Sequence, residues 1–172
     1  ISRFAGEQRI FYTMYNTSMT ASEISTNEYI RLQVLPRKAV KIMTFLSNRI
    51  TSSEPATVKV SFLDEFSNRD ISVSDKITFR NSENDIIGET YADSGFASHK
   101  ININKSSIDS IHASTSSGFT AWTNICKVTT EIKPKIWWGD LHTHSIYSGH
   151  GRGYTEDLVS YAKQSSLLDF IA

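Results

Sequence analysis

Hydrophobic and polar residues alternate with a period of two along much of the chain. Val58, Val60 and Phe62 are apolar, whereas the residues between them are polar. Ile101 and Ile103 alternate with asparagines in the same way. Because successive side chains of a β-strand point to opposite faces of its sheet, this pattern predicts strands that are buried on one face.

Residues 1–133 have this β character throughout. The strand-like segments share β-branched and aromatic residues; they are 9–15, 29–35, 57–63, 71–79 and 119–128. Clusters of Ser, Thr, Asn and Asp separate them, as in 51–55 and 114–118, and such clusters are typical of turns. Residues 39–46 fit a short helix as well as a strand. Short strands separated by turns predict an N-terminal antiparallel β-sandwich of the Ig-like type.

The pattern changes after Pro134. Residues 135–141 are mostly apolar and predict a strand of the kind that α/β proteins bury on both faces. A glycine-rich loop follows at 148–153, and residues 168–172 begin a second apolar strand. The order strand, helix, strand over 134–172 is that of one βαβ unit, the opening of a parallel α/β domain.

The helix between these two strands is predicted from its capping and its apolar face. Thr155 is suited to the N-cap position, and two carboxylates follow in the first turn, where the helix dipole favours them. Four residues share one helical face; they are Leu158, Tyr161, Ala162 and Ser165. The chain is therefore expected to be mainly β, with its one clear helix close to the carboxyl end.

Composition and charge narrow the classes of function. Lys plus Arg and Asp plus Glu both number 18, so the formal net charge is zero. This balance gives no support for a nucleic-acid or a membrane-surface partner, which usually need a basic face. The single cysteine, Cys126, rules out an internal disulfide and a cysteine-rich zinc site, and we interpret it as a small buried strand residue. The sequence indicates neither an oligomeric state nor a compartment.

Candidate chemistry is concentrated in one short segment. Three of the five histidines fall within nine residues, at His142, His144 and His150. On a strand, residues at i and i+2 point to the same side, so His142 and His144 would face one point. The pair would lie at the carboxyl end of the first strand of the βαβ unit, where α/β proteins place their ligands. Two aimed imidazoles predict half of a divalent metal site, and two satisfied surface histidines are the alternative.

Several segments together carry a family resemblance. They read Trp-Gly-Asp-Leu-His-Thr-His-Ser at 138–145, Ser-Gly-His at 148–150 and Leu-Asp-Phe-Ile-Ala at 168–172. This layout resembles the start of a PHP (polymerase and histidinol phosphatase) domain, in particular its DUF3604 branch. The resemblance implies a distorted (β/α)7 barrel that holds two or three Zn, Mn or Fe ions, of which 134–172 would be the first βαβ unit.

The resemblance also implies roles for individual residues. His142 and His144 match paired metal ligands, and His150 matches a position that binds a further metal. Asp140 matches the motif aspartate, and we expect it to orient an imidazole rather than to bind metal, since it shares the strand face of the two histidines. Arg152 could hold a substrate phosphate through two hydrogen bonds, or it could be an ordinary solvated loop arginine.

The function implied is that of a metal-dependent phosphoesterase acting on a phosphorylated small molecule. The Thr-Asp-His motif expected next in the family, and its later ligands, are not among these residues. We therefore expect the chain to be the N-terminal part of a longer enzyme, and to be inactive alone because each metal needs four or more ligands.

Two other interpretations remain open. Amidohydrolases also place a His-x-His pair at the end of the first strand of a (β/α)8 barrel. Alternatively, the β-rich region is an Ig-like binding or adhesion module, and the histidines have no catalytic role.

Overall fold

The protein is mainly β in the residues that its computed structural model describes, which are 6–11, 29–46, 49–51, 54–103, 108–129, 137–145, 147 and 154–172. The first seven strands are β1 (Gly6–Phe11), β2 (Tyr29–Val34), β3 (Lys41–Leu46), β4 (Arg49–Thr51), β5 (Ala56–Leu63), β6 (Lys76–Arg80) and β7 (Ile86–Tyr91). The next seven are β8 (Phe96–Ile101), β9 (Ile108–Asp109), β10 (His112–Thr115), β11 (Thr120–Trp122), β12 (Cys126–Thr129), β13 (Gly139–Asp140) and β14 (Phe170–Ile171). The helix α1 (Thr155–Ser160) continues directly into a π-helical segment (Tyr161–Ser165).

Two antiparallel sheets organise the β-rich region. One has the strand order β3-β5-β8, and the other has the order β11-β10-β6-β7. A smaller sheet joins β4, β12 and β9, in which β12 runs parallel to β4 and antiparallel to β9. β1 and β2 form an antiparallel pair. This arrangement confirms the mainly β class and its antiparallel sheets.

One hydrophobic core is shared by the two antiparallel sheets. From β5 it receives Val58, Val60 and Phe62, all fully buried, and from the facing sheet Ile77 and Phe79. The period-two pattern therefore marks the core face of β5 correctly. Full burial of a side chain of this size contributes about 1.5–3 kcal/mol, so this core is the main source of stability in the β-rich region.

Two expected strands begin or divide differently from the prediction. The strand expected at 71–79 begins only at Lys76. The strand expected at 119–128 is divided into β11 and β12. Between these two strands, the side chain of Asn124 forms hydrogen bonds with the main chain at the end of β3. Its side-chain oxygen accepts the N–H of Leu46 at 2.8 Å, and its nitrogen donates to the carbonyl oxygen of Leu46 at 2.7 Å. Residues 39–46, whose pattern fits either a short helix or a strand, form β3 from Lys41 onward.

The C-terminal segment, residues 137–172, has the predicted order of strand, helix and strand. β13 and β14 pair in parallel, with Gly139 opposite Phe170 and Asp140 opposite Ile171. The predicted helical face is confirmed in part, since Ala162 and Ser165 are buried. The N-cap prediction is wrong by one residue: Tyr154 occupies that position and its side chain makes no capping hydrogen bond.

The expectation of a first strand buried on both faces is also wrong in the described structure. Gly139 and Asp140 are exposed, and Leu141 is 79% exposed. The physical reason is that β13 has only β14 beside it among the described residues. An apolar strand is buried on both faces only when helices or further strands cover it.

The helical segment ends in a tight reversal that leads into β14. Leu167 has a left-handed φ of 57°, and the N–H of Leu168 donates to the carbonyl oxygen of Ala162 at 2.8 Å. A left-handed conformation costs a non-glycine residue about 1–2 kcal/mol. Leu167 is only 1% exposed, and burial of its side chain offsets that cost.

Candidate metal centre

A glycine permits the close pairing of the two strands that support the histidines. A Cβ atom at Gly139 would lie 2.5 Å from the carbonyl oxygen of Phe170 and 2.5 Å from its ring. No side chain fits in that space, so glycine is required for β13 to approach β14 this closely.

Hydrogen bonds continue the pairing beyond both short strands. The N–H of Ala172 donates to the carbonyl oxygen of Asp140 at 2.9 Å. The carbonyl oxygen of Ala172 then accepts two bonds from Thr143, one from its N–H at 2.8 Å and one from its Oγ1 hydroxyl at 2.7 Å. Thr143 stands between the two histidines, so these bonds fix the backbone from which both imidazoles project.

The two histidines lie close together, but both follow β13 instead of lying on a strand as the sequence predicted. Their Nε2 atoms are 2.6 Å apart, and their ring centroids are 4.6 Å apart with the planes inclined at 63°. Both side chains are exposed at the carboxyl end of β13. At this distance the two Nε2 atoms share a hydrogen bond, in which the ring that donates is set by the tautomer, and the pair is open to solvent.

The aspartate that precedes the pair acts on the main chain. Oδ1 of Asp140 accepts the N–H of His142 at 3.0 Å. A carboxylate that accepts an N–H two residues later forms an Asx turn, which bends the chain as it leaves the strand. Asp140 thus sets the direction in which His142 leaves β13, whereas its predicted bond to an imidazole stays a prediction.

The geometry of the pair can be compared with what a metal requires. Zn–N bonds of about 2.0–2.1 Å in a tetrahedral site place two ligand nitrogens about 3.3 Å apart. The observed separation of 2.6 Å is shorter, so the rings must part by about 0.7 Å to bind one ion. Since both side chains are exposed, small rotamer changes allow this, and imidazole nitrogens are ligands of the kind that Zn and Fe accept in proteins.

The other predicted site residues do not complete this centre in the described part of the chain. His150 and Arg152 lie outside the described residues. Among the residues that are described, no group of three or more His, Cys, Asp or Glu side chains is placed to hold a metal. Among the described residues, the candidate centre therefore consists of His142 and His144. Hydrogen bonds of Asp140 and Thr143 hold the backbone of this pair.

An ion pair beneath the strands was not anticipated from the sequence. Nζ of Lys59, on β5, lies 3.1 Å from Oδ1 of Asp169, and both side chains are largely buried. Oδ2 of Asp169 accepts the N–H of Trp138 at 3.1 Å. In the sequence Lys59 is one polar residue in an alternating strand, and nothing in that pattern indicates which partner it meets.

Comparison of the chain with protein-family models and with curated proteins gave no match. Within the described residues, no helix has both the length and the apolar character needed to cross a membrane.

Proposed function

We propose that this chain carries the first ligands of a metal-dependent hydrolase, a phosphoesterase of the PHP class. The convergence of the His142 and His144 Nε2 atoms to 2.6 Å supports the proposal most directly. The location of the pair adds support, because it follows the first strand of a parallel strand-helix-strand unit. Ligand sites of α/β proteins lie at that end of their strands.

The proposed architecture has two parts. The β-rich region is an Ig-like sandwich, and residues 134–172 open a (β/α)7 barrel. Two imidazoles cannot complete the centre, because each metal takes four or more ligands. We place His150 among the further ligands, with the remaining ones outside the described residues. The centre would hold two or three Zn, Mn or Fe ions.

In this proposal the residues of the chain bind and orient, and the ions supply the chemistry. Bound divalent ions would lower the pKa of a water molecule and neutralise charge on a phosphate. His142 and His144 would hold an ion through their imidazole nitrogens. Asp140 and Thr143 fix the backbone on either side of His142. Arg152 would hold the phosphate of a phosphorylated small-molecule substrate through two hydrogen bonds.

The intact protein that carries this chain provides the test. With Mn or Zn supplied, we expect hydrolysis of a p-nitrophenyl phosphate ester, and we expect His142→Ala and His144→Ala to reduce kcat/KM by about a hundredfold or more. His112→Gln, in β10, is the matched control and should leave the rate unchanged. Hydrolysis of amide substrates alone would contradict the phosphoesterase assignment. Phosphoester hydrolysis that survives loss of both histidines would contradict the site.

A further inference from the structure

The outer face of β5, opposite the hydrophobic core, is covered by the C-terminal segment. Ser61 and Leu63 project on this face and are 0% and 2% exposed. The π-helical segment contacts β5, and a cavity of about 480 Å³ at this junction is lined by residues of both, including Leu63 and Ser165. The β-rich region therefore serves as the surface on which the segment with the histidines is built.

Lys59 is the charged residue on this covered face that reaches the segment. Its side chain is 20% exposed and that of Asp169 is 16% exposed, so the pair is shielded from solvent in a way that surface ion pairs are not. Nζ of Lys59 also lies 5.5 Å from the centre of the Phe45 ring, which restricts its position further. Removal of one partner from a shielded pair leaves the other charge poorly solvated, so such pairs constrain geometry strongly.

Asp169 connects Lys59 to both strands of the parallel pair. One carboxylate oxygen faces Lys59, and the other accepts the N–H of Trp138. The N–H of Asp169 itself donates to the carbonyl oxygen of Trp138 at 2.6 Å. Trp138 immediately precedes β13 and Asp169 immediately precedes β14. The ion pair thus holds the point at which both strands begin.

Each of these strands has only two residues, so their own ladder defines their alignment weakly. The alignment is held at one end by Lys59 and Asp169, and at the other by the bonds from Thr143 to Ala172. His142 and His144 lie at that second end. A shift in the alignment of β13 and β14 at their first residues should therefore also move the backbone that carries the two imidazoles, which is only a few residues away.

We propose that Lys59 is a positioning residue for the histidine pair, acting through Asp169 and the main chain of Trp138. The β-rich region is then a scaffold that the site requires, and not a separable binding module. The part of this inference that concerns metal affinity rests on the proposed function. The part that concerns the arrangement of the two imidazoles does not.

The experiment uses the whole chain and four variants, each compared with the wild type. Lys59→Met removes the charge and keeps most of the apolar stem. Lys59→Arg restores a cation, and Asp169→Asn keeps an oxygen for the N–H of Trp138 while removing the charge that Lys59 meets. Lys163→Met is the matched control, because Lys163 lines the same groove of about 310 Å³ beside Lys59 but has no ion pair among the described residues.

Two signals are measured. The first is the imidazole ¹⁵N spectrum of His142 and His144 without metal, assigned from His→Gln variants. The second is the affinity for Zn²⁺ by calorimetry. We expect Lys59→Met and Asp169→Asn to shift the two imidazole spectra and to weaken Zn²⁺ binding by about three- to tenfold, in the range of coupling between neighbouring residues. Lys59→Arg and Lys163→Met should match the wild type in both signals.

Unchanged imidazole spectra in a folded Lys59→Met variant would overturn the proposal, and so would an equal shift in Lys163→Met. If Lys59→Met does not fold, Asp169→Asn decides by the same criteria, because it is isosteric with the native residue. If the spectra respond as expected while neither the chain nor the intact protein that carries it binds Zn²⁺, the positioning role stands and the proposed function fails. If Zn²⁺ binds at the histidines but Lys59→Met alters neither signal, only the positioning role fails.

Discussion

The β-rich region and the C-terminal segment are stabilised in different ways. The first buries a continuous set of apolar side chains between two sheets, and its large core residues are almost fully shielded from water. The second exposes most of its apolar side chains on the strand side: Trp137 is 62% exposed and Tyr147 is 78% exposed. Its strands are held by a glycine, an ion pair and a few hydrogen bonds. Most of the stability therefore resides in the β-rich region, and the candidate chemistry resides in the C-terminal segment.

The largest effect is expected from the core of the β-rich region. Phe62 is fully buried, and its ring packs edge-to-face on that of Phe119 with the centroids 6.0 Å apart. Phe62→Ala should lower the free energy of unfolding by about 3–5 kcal/mol, through lost burial and a cavity.

Because the C-terminal segment rests on the other face of the same strand, both regions should unfold together in denaturant. Tyr91→Ala, at an exposed position in β7, should change the free energy by less than about 0.5 kcal/mol. Independent unfolding of the two regions would break the scaffold interpretation.

A buried carboxylate in the β-rich region provides a prediction that depends on pH. Burial acts to raise the pKa of Asp64, but hydrogen bonds from the N–H groups of Arg37, Asn68 and Phe66 and from the Asn68 side chain outweigh it, so the pKa lies below its ordinary value of 3.8. A carboxylate with a depressed pKa stabilises the fold above that ordinary value, and the contribution is lost as the pH falls through the folded pKa.

Asp64→Asn should therefore destabilise the protein by about 1–3 kcal/mol at pH 7, because the amide nitrogen would face groups that can only donate. The difference from the wild type should shrink as the pH falls below 3.8 in denaturant titrations, since both proteins then carry a neutral side chain. Glu54→Gln, at an exposed position, should follow the wild type at every pH. A difference that grows in acid would contradict the sign of this pKa shift.

A substitution at Gly139 should destabilise the C-terminal segment and leave the β-rich region unchanged. Gly139→Ala places a methyl group 2.5 Å from the carbonyl oxygen of Phe170, and the strands must part. Such overpacking costs about 1–3 kcal/mol, and we expect that cost to appear as faster amide exchange in 137–145 and 169–172, with the core amides of β5 unaffected. Adding Phe170→Ala should not restore protection, because the clash with the backbone oxygen remains. Restored protection would show that the ring alone sets the spacing.

The smallest effect is expected at Thr143. Thr143→Val removes the hydroxyl bond to Ala172 and keeps the bond from the main-chain N–H, so the local cost should be about 0.5–1.5 kcal/mol. Thr143→Ser, which keeps the hydroxyl, should retain most of the protection of the Ala172 amide in hydrogen exchange. Equal behaviour of the two variants would mean that the hydroxyl contributes nothing to this end of the strand pair.

Periodicity predicted the parts of the fold that depend on local sequence. The core face of β5 followed from Val58, Val60 and Phe62, and the helical face followed from Ala162 and Ser165. Periodicity could not indicate that the C-terminal segment covers the polar face of β5. A serine such as Ser61 gives the same polar position in the pattern whether its side chain is exposed to solvent or buried. The interruption at Asn124 was missed for the same reason, since its partner Leu46 is distant in sequence.

The candidate site also combines features that depend on local sequence with features that depend on distant residues. The proximity of His142 and His144 is local information, since they are two residues apart, although both lie after β13 and not on the predicted strand. The ion pair of Lys59 with Asp169 joins residues 110 apart in the sequence, and no pattern in either segment indicates it. Sequence therefore predicted the chemical groups of the candidate site, whereas the groups that hold them in place required the structure.

In the proposed centre, His142 and His144 are two ligands of one metal ion. X-ray absorption at the zinc edge, on the chain loaded with one equivalent of Zn²⁺, counts these ligands. We expect two imidazole nitrogens at about 2.0–2.1 Å in the wild type, one in His144→Ala, and two again in His112→Gln. A zinc shell without imidazole scattering, or one that does not change in His144→Ala, would contradict it.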